Sequence, residues 1–462
     1  MIDNSLVICF LLVVLIIGFL KSQRIASMRE YSIADRNYSL PVMVATLTAT
    51  VIGGGATFGI ITSVFSVGIV YILVSFGNVF NRLVVSQFFV DKIEAFADCI
   101  SVGDIIGKCY GKNARIITGI CGALYCAAAV GGQISAIGLI VHYFLDLPFF
   151  LGVLIGCGTV ILYSSFGGVK AVTATDVLQF AVLIIAVPMV CNVGLNLVGG
   201  YESLISKVPA HLLRLPDTPS SITSYFFIFL AFAVPFLDPP LTQRLLMASD
   251  RTQIRNSLRL AALIELPFFV VVGLIGLIAV ATNPNDDANL AFPHLVNTIL
   301  PTGLKGMAVM GLLSVVMSTA DSYLNAAGVT LVHDTFKPLY PGKLSDQAEL
   351  RLAKITTFIL GALATIIALS FKTIMNIILF SLNFWGPIVV IPLYAGLLGF
   401  KPSPRCFYSG VVSGSLVFLI WHFTIEPSLG VSSLIPSMLG NAIGFIGMYY
   451  FDRAKKGLLA YT

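Results

Sequence analysis

Runs of about twenty apolar residues recur from one end of this chain to the other. They dictate what it can fold into. In hydrocarbon every backbone N–H and C=O must be bonded internally, so only helices and closed barrels span a bilayer. Barrel strands are about ten residues of alternating hydrophobicity. The runs here are twice that length and do not alternate, which selects helices. Composition agrees: 57% of the residues are hydrophobic and 11% charged, against roughly 25% charged in soluble domains. The expected fold class is an all-α polytopic membrane protein.

A sliding hydropathy reading places spans near 5–20, 41–66, 67–90, 116–142, 147–165, 173–198 and 222–240. Six more follow near 257–281, 304–332, 353–371, 373–399, 405–423 and 433–451, about thirteen in all. The first run opens on the acidic stretch MIDNS, with no basic n-region and no small-residue cleavage site, so it reads as a retained helix. The loops at 91–115, 199–221 and 333–352 are too short for a separate soluble domain. Residues 1–462 therefore read as one transmembrane unit.

Charge gives the orientation. With the N-terminus outside, 22 of the 27 basic residues fall in loops on the inner side. Four lie outside (Lys207, Arg214, Lys305 and Lys372), and Arg82 falls within a span. This is the positive-inside pattern, and it predicts a multi-pass protein of the cell membrane with a cytoplasmic C-terminus. The net charge of +5 is a topology signal and not a nucleic-acid footprint.

Several chemistries lack their residues. No GxxxxGK[ST] string is present for a nucleotide phosphate, and HExxH is absent. The histidines, His142, His211, His294, His333 and His422, are scattered one per region, as loop or helix-end residues. The eight cysteines form no CxxC and read as small packing residues. No nucleophile–base pair is apparent, so no enzyme activity is expected. Ion-coupled transport or a channel remains.

Two interrupted spans discriminate between them. Span 41–66 contains Gly53, Gly54 and Gly55 in succession, costing about 2–3 kcal/mol of helix propensity. Span 222–240 and its continuation read LAFAVPFLDPPLTQR, where Pro235, Pro239 and Pro240 remove backbone donors. Five spans separate the start of the first from the start of the second. An odd offset turns the second half upside down, giving an inverted 5+5 repeat. Residues 41–198 form the first repeat, and 199–400 carry an outside loop and the second. Residues 1–40 add one helix and an inner loop, and 401–462 add two helices. Paired breaks at corresponding positions mark the binding site of a secondary transporter.

At these residues the chain resembles the sodium:solute symporter family, whose members have a LeuT-type core. The pieces that carry the likeness are TATVIGGG (48–55), GGVKAVTATDVLQF (167–180), LTQRLL (241–246) and SVVMSTADS (314–322). Within the family the strings look nearest the choline-transporter branch. The resemblance implies a sodium site made by the backbone carbonyls of Ala49, Ile52 and Val315 and the hydroxyls of Ser318 and Thr319. The chemistry fits, because sodium is a hard cation that takes oxygen ligands, and an unwound turn frees carbonyls. Serine and threonine also back-bond to a carbonyl one turn earlier in ordinary helix packing. The family resemblance further implies a second cation near Asp176, Asp321 and Ser322. A helix-start charge and an internally bonded carboxylate are the alternatives for the two aspartates. Glu265 and Arg82, also intramembrane by these boundaries, read as a packing pair or as a boundary error rather than as transport residues.

The substrate is less constrained. Choline needs ring faces around a quaternary nitrogen. The positions matching the choline branch's tryptophans hold Val51, Cys126 and Asp238, and the chain has only Trp385 and Trp421. The expected lining is Gly53, Gly54 and Gly55 at the first break, Tyr125 and Gln133 on the third core helix, and Asp238, Thr242 and Gln243 around the second. Asp238 suits either a substrate amine or the N-cap of the helix restarting at Pro239. The expected function is alternating-access symport of a small polar organic solute, amino-acid-like in kind, with Na+. Partners are the solute, sodium and membrane lipid, with no nucleic acid. Proton coupling through Asp176 or Asp321 is the runner-up. A channel lacks its symmetric pore pattern here, and a sensor its appended signalling domain.

Overall fold

A computed structural model describes residues 2–22, 25–342, 344–370, 377, 381–400, 402–429 and 432–459. The helices that matter here are α1 (Ile2–Ser22), α2 (Leu40–Val51), α3 (Gly55–Val67), α4 (Val70–Glu94), α5 (Val102–Tyr110), α6 (Lys112–Leu145) and α7 (Phe149–Val198). They continue with α8 (Pro219–Ala233), α9 (Pro239–Leu246), α10 (Arg251–Thr282), α11 (Leu304–Leu339) and α12 (Asp346–Ser370). The last three are α13 (Gly386–Leu397), α14 (Pro404–Ser428) and α15 (Leu434–Lys455). Among the described residues nine helices are long and apolar enough to cross a membrane, ten if the bent α2–α3 pair counts as one.

That count takes α7 once and leaves out the shorter α8 and α13. The spans expected at 147–165 and 173–198 are the two helices on either side of a kink within α7 at Gly168, where φ is +50° and ψ −152°. A side chain there would collide with Tyr31, so glycine both permits the left-handed turn and admits the neighbouring backbone. The span expected at 222–240 is the short α8 followed by α9. The first part of the span expected at 373–399 lies outside the described residues, and its described end is α13.

Burial separates a core from a periphery. The apolar windows of α6 and α11 are 89% and 83% buried, whereas those of α1 and α14 are 22% buried. A helix apolar on every side and buried on every side sits in the middle of a bundle. Accordingly α6 packs against α7, α11 and α12, and α11 packs against α7 as well. The broken helix α2 lies between α7, α10, α11 and α9. Outside this core, α1 lies on α7 and α11, and α14 pairs with α15. The pair Arg82 on α4 and Glu265 on α10 meets at 3.4 Å, both side chains buried. It joins α4 to α10, as a packing pair should.

Candidate functional site

The glycine run does break its helix. Between α2 and α3 the axis bends by 64°, with Ile52 at φ −76°, ψ 77°. The hydrogen bonds show what the bend releases. In a continuous helix the Gly53 N–H would bond to the Ala49 carbonyl and the Gly54 N–H to that of Thr50. Instead Gly53 N–H donates to the Val51 carbonyl at 2.9 Å, and Gly54 N–H donates to Gln133 Oε1 on α6 at 3.1 Å. Two carbonyls are thereby freed. The Ser318 hydroxyl of α11 donates to Ala49 at 2.9 Å, and Thr319 donates to Thr50 at 3.2 Å. Both hydroxyls also reach the Val315 carbonyl, at 3.1 and 3.3 Å.

This gathers Ala49, Val315, Ser318 and Thr319 into one oxygen-lined contact between α2 and α11. Ile52 is fully buried at the bend. The close approach depends on Gly53, where a Cβ would stand 2.5 Å from Thr319 Oγ1. At Gly54 a Cβ would stand 3.0 Å from Gln133 Oε1. Gly55 opens α3 in a wider π-type turn.

The second break falls at Val234–Asp238. Leu237 has φ +42°, a left-handed conformation that costs a non-glycine residue energy and clusters at functional sites. Asp238 caps α9, with Oδ1 accepting from Leu241 N–H at 3.0 Å. Its other oxygen, Oδ2, accepts from the hydroxyls of Tyr125 and Tyr323, each at 2.8 Å. Tyr125 stands 5.8 Å from the Tyr323 ring and 5.9 Å from the Trp385 ring, and Trp385 Nε1 donates to the Phe236 carbonyl at 3.0 Å. Two tyrosine hydroxyls thus meet one carboxylate, with the Trp385 ring packed beside Tyr125, and none of the three stands at the positions of the choline branch's tryptophans. Tyr323 and Trp385 were not singled out from the sequence. Tyr323 directly follows the STADS string, which is the only available signal. Trp385 arrives from the turn just before α13, far along the chain.

Thr242 and Gln243 do other work. Thr242 donates to the Leu237 carbonyl at 2.8 Å, closing the break. Gln243 donates to the Ser32 carbonyl at 2.6 Å and to Asn325 Oδ1 at 3.0 Å. These side chains brace α9 and are not part of the aromatic group.

Asp176, Asp321 and Ser322 do come together, around a residue the sequence reading misplaced. Arg244, counted there as a loop charge, is fully buried. It donates to Ser322 Oγ at 2.6 Å and to Asp176 Oδ2 at 3.3 Å. Thr46 of α2 donates to the same Asp176 oxygen at 2.5 Å. Asp321 Oδ2 accepts from Tyr163 at 2.6 Å and Thr175 at 3.3 Å. Thr50 and Ser322 hydroxyls lie 3.1 Å apart, so α2 connects this group to the Ser318–Thr319 contact. An arginine four residues past a DPP break carried the missed signal: a helix restarting inside the membrane places it there.

A further ionic network ties down the far end of α11. His333 meets Asp104 at 2.9 Å and Glu349 at 2.5 Å. Arg115 meets Asp104 at 2.6 Å and Asp334 at 3.2 Å. Burial works to raise the Asp104 carboxyl, but the His333 hydrogen bond and charge, with Arg115, hold it down at about 2. Asp104, His333 and Asp334 place ligand-type atoms within 4.8 Å of one another. Arg115 already bridges both carboxylates and supplies the positive charge, so the cluster is an ion network.

Comparison with known proteins agrees with this geometry. The osmoregulated proline transporter OpuE of Bacillus subtilis is 21% identical over 461 residues, covering 95% of this chain and 92% of that protein. The human high affinity choline transporter 1 is 25% identical over 80% of this chain and 68% of its own length. A sodium/proline symporter of Staphylococcus aureus is 24% identical over 94% and 89%. In three dimensions, a Na+-coupled sialic acid symporter in a substrate-bound outward-open state superposes with TM-score 0.84 at 15% identity, covering 97% of each chain. MhsT in complex with L-phenylalanine superposes at 0.56 and 15% identity, over 89% of this chain and 99% of its own. The fold is of LeuT type. The sodium:solute symporter family model matches residues 31–399, and the chain belongs to that family.

Proposed function

We propose that the chain is a sodium-coupled symporter that imports a small amino-acid-like solute bearing a cationic nitrogen. The supporting observation is the pair of carbonyls released at Ile52–Gly54 and met by hydroxyls of α11. Hydroxyls that donate to those carbonyls can instead turn their lone pairs toward a cation. Ala49, Ile52, Val315, Ser318 and Thr319 then offer five oxygens and no formal charge, a set suited to a weakly held monovalent ion. Because α2 and α11 supply opposite halves of the set, sodium favours the arrangement in which they touch. That difference in affinity between two states is what coupling requires.

For the solute, Asp238 with Tyr125, Tyr323 and Trp385 provides one negative charge and three ring faces, the chemistry that holds a cationic nitrogen. The start of α3, where the Gly54 N–H meets Gln133 Oε1, has the positive helix end that suits a carboxylate. The similar proteins that transport proline and choline make this the solute class to test first. The Asp176–Asp321–Ser322 group has two carboxylates against one guanidinium, leaving a formal charge of −1 if both carboxylates are ionised. One further cation balances it, and we assign a second sodium there. The two broken helices belong to inverted repeats at 41–198 and within 199–400. The excess of loop charges on one side supports an N-terminus outside and a C-terminus in the cytoplasm.

Proteoliposome uptake of labelled proline and choline, with sodium and proton gradients imposed separately, tests the reading. Accumulation should follow the sodium gradient and be lost in Ser318→Ala with Thr319→Ala. Accumulation driven by protons alone and untouched by that double variant overturns it. Loss of proton-driven uptake in Asp176→Asn or Asp321→Asn alone would transfer the coupling to those carboxylates.

A further inference from the structure

Beside the ion network at the end of α11 lies a cavity of about 390 Å³, lined by Lys108, Lys112, Arg115 and Lys337 with a single acid, Asp104. This is within the size of ordinary ligand sites, roughly 300–1,000 Å³. Three of the four cations are already engaged: Lys108 with Asp98, Arg115 with Asp104 and Asp334, and Lys337 with Glu349 at 2.7 Å. Lys112 is exposed and makes no ion pair among the described residues. It is also the first residue of α6, preceded by Gly111, which offers no side-chain cap. The positive end of a long helix and a free ammonium therefore face the same space.

The surroundings are apolar and face outward. Phe336, Leu339 and Tyr340, on either side of Lys337 and Pro338, are 43%, 58% and 54% exposed, and Ile120 and Leu124 farther along α6 are also exposed. On a membrane helix such side chains face acyl chains. A free phosphate has no use for them, whereas a phospholipid needs both halves. The loop charges put this face in the cytoplasm, where anionic lipids bind basic pockets between helices.

We infer that the cavity between α5, α6 and the end of α11 is a binding site for an anionic phospholipid headgroup, with Lys112 as its free cation and Phe336 and Leu339 against the acyl chains. Headgroup contact with Lys337 and Arg115 would link lipid occupancy to the Lys337–Glu349, Arg115–Asp104 and Arg115–Asp334 pairs that hold α11.

The test is thermal unfolding of the purified full chain in detergent, titrated separately with short-chain phosphatidylglycerol, phosphatidylcholine of the same chain length, and inorganic phosphate. Phosphatidylglycerol should raise Tm at concentrations where the other two do not. In Lys112→Gln its half-saturating concentration should rise roughly fivefold, since one basic residue near an anionic surface contributes about 1 kcal/mol. Lys112→Arg should behave like the parent. Equal stabilisation by phosphatidylcholine, an equal effect of phosphate, or an unchanged phosphatidylglycerol titration in Lys112→Gln each overturns the proposal.

Discussion

Replacing Ser318 by alanine removes one oxygen from the α2–α11 contact and nothing else, because the side chain is 1% exposed and bonds only to Ala49 and Val315. Without sodium, the loss leaves the Ala49 carbonyl unmet, a destabilisation of about 1–3 kcal/mol. With sodium, it also deletes a ligand. An interaction with a charged partner contributes about 1.5–3 kcal/mol, so apparent sodium affinity should fall by roughly 10- to 100-fold. Solute affinity at saturating sodium should change far less, since Asp238 and the aromatic group are untouched. The assay is the sodium dependence of labelled-solute uptake, with potassium holding ionic strength constant, alongside thermal unfolding with and without sodium. The informative quantity is the half-saturating sodium concentration, compared with the solute KM measured at high sodium. An unchanged sodium dependence in a variant that folds and transports would sink the argument. It would mean that the hydroxyl is a packing device and that the ion binds elsewhere.

Three further outcomes follow from the same contacts. Gly53→Ala puts a methyl 2.5 Å from Thr319 Oγ1, an overpacking worth about 1–3 kcal/mol. It should weaken sodium-dependent uptake together with Tm, whereas Gly158→Ala, a helical glycine with open space around it, should leave both alone. Arg244→Gln strands the buried Asp176 carboxylate, and breaking a buried pair from one side costs about 3–5 kcal/mol. Expression and Tm should drop, and Asp176→Asn in the same chain should recover part of the loss. Asp238→Asn keeps a competent cap for α9 but removes the charge, so uptake of an amine-bearing solute should fall more steeply than the sodium-induced rise in Tm. Parallel loss of both would make Asp238 a capping residue only.

The first break was legible because three glycines in a row have no other use in an apolar span, and the second because proline cannot sit inside a helix without consequence. Of the carbonyls expected from the family resemblance, Ala49 is met by an α11 hydroxyl, while the second hydroxyl meets Thr50 rather than Ile52. What could not be read is whatever depends on which helices touch. Trp385 reaches Tyr125 across 260 positions of sequence, and its neighbourhood has no pattern of its own. Arg244 was misplaced because hydropathy averages a buried charge with the loop beside it. The turn at Gly168, by contrast, was legible as the gap between 147–165 and 173–198, because Gly167, Gly168 and Lys170 interrupt the apolar run.

The first helix, though outermost, has a mechanical consequence. Asp3 Oδ1 accepts from both Gly303 N–H and Gly306 N–H at 2.7 Å, supplying the cap that the start of α11 lacks in its own sequence. The opposite end of α11 is clamped through His333 and Asp334 to three other helices. A rod bolted at both ends is a rail rather than a lever. Under the proposed alternating access, the jointed pairs α2–α3 and α8–α9 are the elements left to move past hydroxyls held in place.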